Sequence, residues 1–331
     1  MPKISLSALG PLAALIVLVA LGAWLNENFY SAGNITNVLA RSAFIGIIAV
    51  GMTFVITSGG IDLSVGSMAA FIAGMMITAM NLMIPKLGIG VPLVLAGMAA
   101  ALLIGLVAGL ANGLLITRAG IEPFIVTLGT MGIFRSLVTW MSNGGTISLD
   151  FEARQFYRPV YYEGVFGIVW PIIVFAVVAV LGQIVMRNTR FGRYIEAIGS
   201  NDKVARYSAV KVERTVTLAY AFLGLLVGLA VIMYVPRLGS ASGSTGLLWE
   251  LEAIAAVIIG GTAMKGGYGR VWGTVVGVLI LSLIDNILNL ADLVSPYLNG
   301  AIQGVIIVLA VVLQRGKAPA EGPVRNQQQP P

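Results

Sequence analysis

Seven stretches of this 331-residue chain run for twenty residues or more without one Asp, Glu, Lys or Arg: 4–26, 42–61, 63–85, 87–117, 164–186, 215–236 and 293–314. A helix of about 20 apolar residues crosses a hydrocarbon core of about 30 Å, and a charge at mid-bilayer is expensive, so each window reads as a membrane span. Three more segments are strongly apolar but carry one or two charges. They are about 121–142 with Arg135 inside, about 249–264 opened by Glu250 and Glu252, and about 271–291 with Asp285 inside. A chain that is 58% hydrophobic and 10% charged has apolar material for about ten spans and too few charges to clothe a water-facing surface. The expected fold is an all-α integral membrane protein of about ten transmembrane helices. Its 41 glycines suit close helix packing.

Segment 4–26 has some character of a secretory signal, but its apolar run is long and no small-x-small site closes it, so it is expected to stay as the first helix. Ten spans put both termini on one side. With the N-terminus inside, the cytoplasmic segments hold fourteen Lys and Arg and the outer ones five, while Arg135 lies within a span. The positive-inside rule then gives N-in and C-in, and the net charge of +6 reflects topology rather than nucleic-acid binding. A transmembrane domain over 1–315 is expected. It includes an outer loop at 143–163, rich in aromatics and charges, able to pack on the membrane surface or on an external partner, and a basic cytoplasmic segment at 187–214. The Pro- and Gln-rich tail 316–331 has nothing to bury and should be disordered.

The absences exclude whole chemistries. Without His or Cys there is no Ser-His-Asp or Cys-His nucleophile, no H-E-x-x-H motif, no zinc-cysteine site and no disulfide. No catalytic or metal site is expected. The nearest approach to a phosphate loop, Gly260 to Lys265, has the wrong spacing and no hydroxyl after the lysine, so any nucleotide that drives this chain must bind another.

An internal echo runs through the sequence. Ser58-Gly59-Gly60-Ile61-Asp62-Leu63-Ser64-Val65-Gly66-Ser67 recurs in outline as Lys265-Gly266-Gly267-Tyr268-Gly269-Arg270-Val271-Trp272-Gly273-Thr274. Both copies follow one apolar helix, open another, and fall on the cytoplasmic side of the expected topology. Gly-Gly is a cheap turn, and it is also the mark of an internally duplicated transporter, in which the shared side argues for a parallel rather than an inverted repeat unless one copy is re-entrant. Between the copies, Phe191–Val216 has the spacing for one short amphipathic helix after a Gly199-Ser200-Asn201 turn, with Asn201 or Asp202 as N-cap and Val204, Tyr207, Ser208 and Lys211 along one side. It reads either as a solvated basic loop or as an element that docks a soluble partner.

Four stretches together resemble a known family. GIIAVGMTFVITSGGIDLSVGS (46–67), EPFIVTLGTMGIFRS (122–136), TRFGRYIEAIGSNDKVARYS (189–208) and ELEAIAAVIIGGTAMKGGYGRVWGTVVG (250–277) are similar to the permease subunits of ribose-type monosaccharide ABC importers. The resemblance implies a bacterial cytoplasmic (inner) membrane location. It implies a partner ATPase that holds ATP and Mg, a periplasmic or lipid-anchored sugar-binding protein, and a second permease subunit, identical or paralogous. It also implies that the segment with Arg193, Gly199, Asn201, Ala205 and Ser208 touches the ATPase. At Ser208-Ala209-Val210 this chain departs from the Ser-Gly-Ile usual in relatives, which puts the geometry of that contact in question. The run Ser58, Gly59, Gly60, Asp62, Ser64, Gly66 is the family's first signature turn, and Gly266, Gly267 and Gly273 belong to the second. Asp62 either caps the third helix, the expected role at the cytoplasmic end, or touches sugar.

A neutral sugar needs hydroxyl and amide partners along its path. Candidates are Asn112, Thr127, Thr130, Asn286 and Asn289, each of which could equally bridge two helices. Arg135 and Asp285 are the charges deepest within spans, are opposite in sign, and are expected to pair or to line an outer vestibule. The alternatives are snorkelling for Arg135 and a misplaced boundary for Asp285. The rival function is an ion-gradient-driven secondary transporter of a small polar solute, for which Asp285 would be the deep carboxylate.

Overall fold

The computed structural model describes residues 6–290 and, beyond them, 298, 300–302, 304–305 and 308. The expected last span and the 316–331 tail therefore fall largely or wholly outside the described residues.

The helices are α1 (Leu6–Leu25), α2 (Ala32–Thr57), α3 (Val65–Leu87), α4 (Val91–Arg118), α5 (Pro123–Met141), α6 (Phe151–Tyr157), α7 (Pro159–Tyr162), α8 (Trp170–Asn188), α9 (Arg190–Ser200), α10 (Asp202–Tyr207), α11 (Val212–Leu238), α12 (Trp249–Ile259) and α13 (Val271–Leu290), with a 3-10 turn at Glu27–Tyr30. Seven of them, α2, α3, α4, α5, α8, α11 and α13, are long and apolar enough to cross a membrane, while the apolar part of α1, Gly10–Leu25, is shorter. Two small antiparallel ribbons complete the described chain: β1 (Thr146–Ser148) with β4 (Ser240–Ser242), and β2 (Gly164–Val165) with β3 (Ile168–Val169).

The centre is α2, whose residues Ser42 to Thr57 are all buried, as expected of a helix apolar on every side. Around it α4 and α11 pack backbone to backbone. A methyl group on Gly105 would strike the Gly224 carbonyl, one on Gly224 the Gly105 carbonyl, and one on Gly109 the Tyr220 carbonyl. Only hydrogen at those positions permits the approach, which is where the glycine content is used. On the other flank Gly277 meets the Ala256 backbone, and Gly260 and Gly273 meet each other, drawing α12 onto α13.

The 249–264 segment differs from expectation. Its eleven-residue helix is about 16 Å long, half a bilayer, rather than a full span. At its start Leu248 is left-handed (φ 68°), and at its end Gly261 (φ 87°) donates to Ile258 while Thr262 donates to Val257. From the end of α11 the chain therefore descends as β4 and a loop, with Gly246 against Gly66, before α12 completes the passage. The described residues thus make a broken crossing of the bundle, a loop followed by a short helix.

The internal echo survives with a shift. Gly59 closes α2 in the same way that Gly261 closes α12, five residues before the expected Gly266. Met68 donates to Ser64 and Thr274 to Arg270, so the helix starts correspond one residue out of the sequence register.

Candidate functional site: a glycine junction and a polar groove at opposite ends

At one end of the bundle two glycine turns meet the last turn of a helix. Thr189 caps α9 by accepting from Gly192 N at 3.3 Å, and Ile195 and Ile198 turn inward. Gly199 therefore falls in the last turn of α9, against the Thr57 carbonyl and the Gly267 amide, which are themselves bonded to each other at 2.9 Å. Gly266, left-handed at φ 87°, rests on Gly59 and Gly199. The two signature turns and the 187–214 segment thus share one face, as their common side in the sequence topology requires.

That segment forms two helices rather than one. Gly199 and Ser200 are helical, and the break comes at Asn201, which leaves α9 extended and caps α10 by accepting from Val204 N at 3.1 Å. Ala205 is buried with Ile198 and Val212, whereas Asn201, Val204 and Ser208 are exposed and Tyr207 is 91% exposed. Ser208 and Lys211 lie past the end of α10, so they do not continue its face. Arg193 is exposed on α9, and Arg206 of α10 pairs with Glu213 of α11. Ala209 is left-handed (φ 59°), a conformation that is costly for a residue with a Cβ and open to glycine. A groove of about 410 Å³ opens between the layers, lined among others by Ser58, Gly59, Gly199, Asn201 and Lys203.

Just inside this face lies a closed polar cluster. Asp62 is fully buried, and its Oδ1 accepts from the amide and the hydroxyl of Ser64 at 2.8 and 2.6 Å. Asn112 of α4 donates to Asp62 at 3.3 Å and to Ser64 at 3.0 Å. Burial pushes the Asp62 carboxyl up, and the Ser64 and Asn112 bonds pull it down. Asp62 does not bond the first free amides of α3, as a helix cap would. It braces Ser64, the residue at the cap position. Tyr220 of α11, which the sequence did not single out, donates to the Ile61 carbonyl at 3.0 Å and ties the same loop to a third helix. Gly60 and Gly66 are small for packing reasons, facing the Tyr220 hydroxyl and the Gly246 carbonyl.

The remaining polar candidates do not share one lining. Thr127 is buried and donates to Pro123 O, and Thr130 donates to Thr127 O, so both are engaged with their own helix. Asn286 exchanges hydrogen bonds with Asn34 of α2, and Asn289 donates to Asp285 O at 2.7 Å. Arg135 does not meet Asp285. Its Nη1 donates to the carbonyls of Gly243 and Thr245, each at 2.6 Å, and the carboxylate that acts on it is Glu250 of α12. The partners are main-chain atoms of the loop that leads into the broken crossing, for which a sequence has no signal.

A family profile described as "Branched-chain amino acid transport system / permease component" matches residues 34–311. The chain belongs to this permease family. Among curated proteins the permease is 40% identical over 321 residues to the ribose import permease of Bacillus subtilis (strain 168), covering 94% of this chain and 93% of that one. It is 35% identical over 307 residues to the ribose import permease of Escherichia coli (strain K12), with 92% and 93% coverage. It is also 33% identical over 359 aligned positions to the xylose transport system permease of the same strain, with 91% and 89% coverage.

Proposed function

We propose that this permease is the membrane subunit of an ATP-driven, binding-protein-dependent ABC importer that carries a monosaccharide, ribose or a related pentose or hexose, by alternating access. The observation that carries the reading is the match to sugar permeases along nine-tenths of the chain, where the family's own description names amino acids. In this reading the chain crosses the bacterial cytoplasmic membrane about ten times, N-in and C-in, and the glycine junction faces the cytoplasm. The partner ATPase holds ATP and Mg and grips exposed α10 through Val204, Tyr207 and the Asn201 end. Closure of its two halves pulls on α9, and the Gly199 contact passes that pull to the end of α2 and to the turn before α13. A second permease subunit, identical or paralogous, completes the path, and a periplasmic or lipid-anchored binding protein delivers sugar at the opposite face. ATP binding can shift such an equilibrium only by its differential affinity for the two states, so a rigid link from α10 into the bundle is what the mechanism needs.

The test is mass spectrometry of proteins that co-purify with the tagged permease from native membranes in mild detergent. An ABC ATPase is the expected companion, and its absence from stable preparations would refute the reading. Replacing Asn201 and Ala205 together with Trp should uncouple or release the ATPase, since the first change removes the α10 cap and the second overfills a closed pocket.

A further inference from the structure

The end of the bundle opposite the glycine junction carries a polar groove that the reading above leaves without a role. Arg135, Ser136, Thr139 and Trp140 lie along one side of the last turns of α5. With Asn143 and Gly144 just beyond, they line an open space of about 470 Å³. A face that carries a guanidinium and two hydroxyls is not stable against hydrocarbon, so this side of α5 borders water.

The chemistry of the lining is specific. The guanidinium has five N–H donors in a rigid fork, and its Nη1 is held by the Gly243 and Thr245 carbonyls. The group is therefore fixed in place, with Nε and Nη2 left to offer hydrogen bonds. The Thr139 hydroxyl donates to Arg135 O at 2.8 Å, so towards the groove it presents lone pairs. Trp140 is 75% exposed, a flat aromatic surface with little of the chain over it. Among the described residues no carboxylate lines the space, and Glu250, which acts on the guanidinium from α12, is not part of its wall. Fixed donors, hydroxyl acceptors and an aromatic plane together suit a neutral polyol ring with one C–H face. An amino acid would leave its ammonium without a counter-charge here.

We infer that this groove is the subsite at which a monosaccharide first meets the permease. One C–H face of the ring lies on the Trp140 indole, and its hydroxyls take the free N–H groups of Arg135. The inference rests on the importer reading and adds the residues that hold the sugar. The chain has no cysteine, so Ser136→Cys and Asn143→Cys each introduce the sole thiol. Each variant is reconstituted into liposomes with its ATPase and binding protein and exposed to a membrane-impermeant methanethiosulfonate reagent, with D-ribose, with L-leucine, or with neither. Both thiols should react, D-ribose should slow the reaction several-fold, and leucine should not. Adding Trp140→Leu should abolish the protection, and Trp140→Phe should keep it. Unreactive thiols, no slowing by D-ribose, or equal slowing by leucine would overturn the inference. ATP-driven uptake of D-ribose, D-xylose and D-allose by the unsubstituted permease is measured alongside. Uptake without protection rejects the groove alone, and absence of ATP-driven uptake of D-ribose, D-xylose and D-allose alike rejects the importer reading.

Discussion

Replacing Gly199 with Ala tests the junction at its tightest point. The added methyl would fall on the Thr57 carbonyl and the Gly267 amide, two groups already hydrogen-bonded at 2.9 Å. Both are backbone atoms, so no side chain can swing aside. Either α9 lifts away or the Thr57–Gly267 bond opens. Overpacking costs about 1–3 kcal/mol, and opening the bond leaves a donor and an acceptor in a closed place for about 1–3 kcal/mol more. Alanine returns about 1 kcal/mol through its better helix propensity in the last turn of α9. The net is a destabilisation of about 1–5 kcal/mol, concentrated where α9 meets α2. Gly33→Ala is the control, because nothing lies within 4 Å of its added methyl. The assay is thermal unfolding of the purified permease in nanodiscs, together with the ratio of sugar imported to ATP hydrolysed by the reconstituted complex. Gly199→Ala should lower both the midpoint and the ratio, and Gly33→Ala neither. Equal midpoints and equal ratios for the two variants would refute the argument that this contact is a mechanical link.

Other outcomes follow from single contacts. Ala209→Gly should stabilise the fold by about 0.5–1 kcal/mol, because a left-handed L-residue costs about 1–2 kcal/mol and glycine gives part of that back as unfolded-chain entropy; a lower melting midpoint would contradict the backbone assignment. Gly109→Val pushes α4 off the Tyr220 carbonyl of α11 at a cost of about 3 kcal/mol, and size-exclusion chromatography should show loss of monodisperse protein. Exchanging charges in an Arg135→Asp, Asp285→Arg double variant should not restore transport above either single variant, since Arg135 is held by carbonyls; rescue would show a direct pair.

The windows without charges located α2, α3, α4, α8 and α11, because the cost of a charge in hydrocarbon acts on each residue separately and needs no tertiary knowledge. A cap at Asn201 or Asp202 was legible for the same reason, the bond being local, and it is Asn201 that makes it. The short α12 was not. Its start depends on Leu248 in a left-handed conformation, two residues after Gly246 meets Gly66 at the start of α3, and its stop on Gly261 rather than the more conspicuous Gly266–Gly267 pair. Gly199 reads as a turn residue in isolation, yet it stays helical because the neighbouring backbones require an absent side chain more than the helix resists glycine. Arg135 stood out as a charge, but its partners are carbonyls more than a hundred residues away, and nothing in their side chains announces them.

The β1–β4 ribbon joins the chain after α5 to the chain after α11, pairing Thr146 with Ser242 and Ser148 with Ser240. The same loop returns two carbonyls to Arg135, so the far ends of α5 and α11 are fastened at two points rather than one. Two fastenings remove the hinge that a single one would leave. Any rocking of α11 against α4 must carry the upper part of α5 with it, and the groove beside Trp140 travels as part of that body. A moving gate at this end must therefore lie between this body and something outside it, a neighbouring subunit or the uncovered side of α5, and cannot be a parting of α5 from α11.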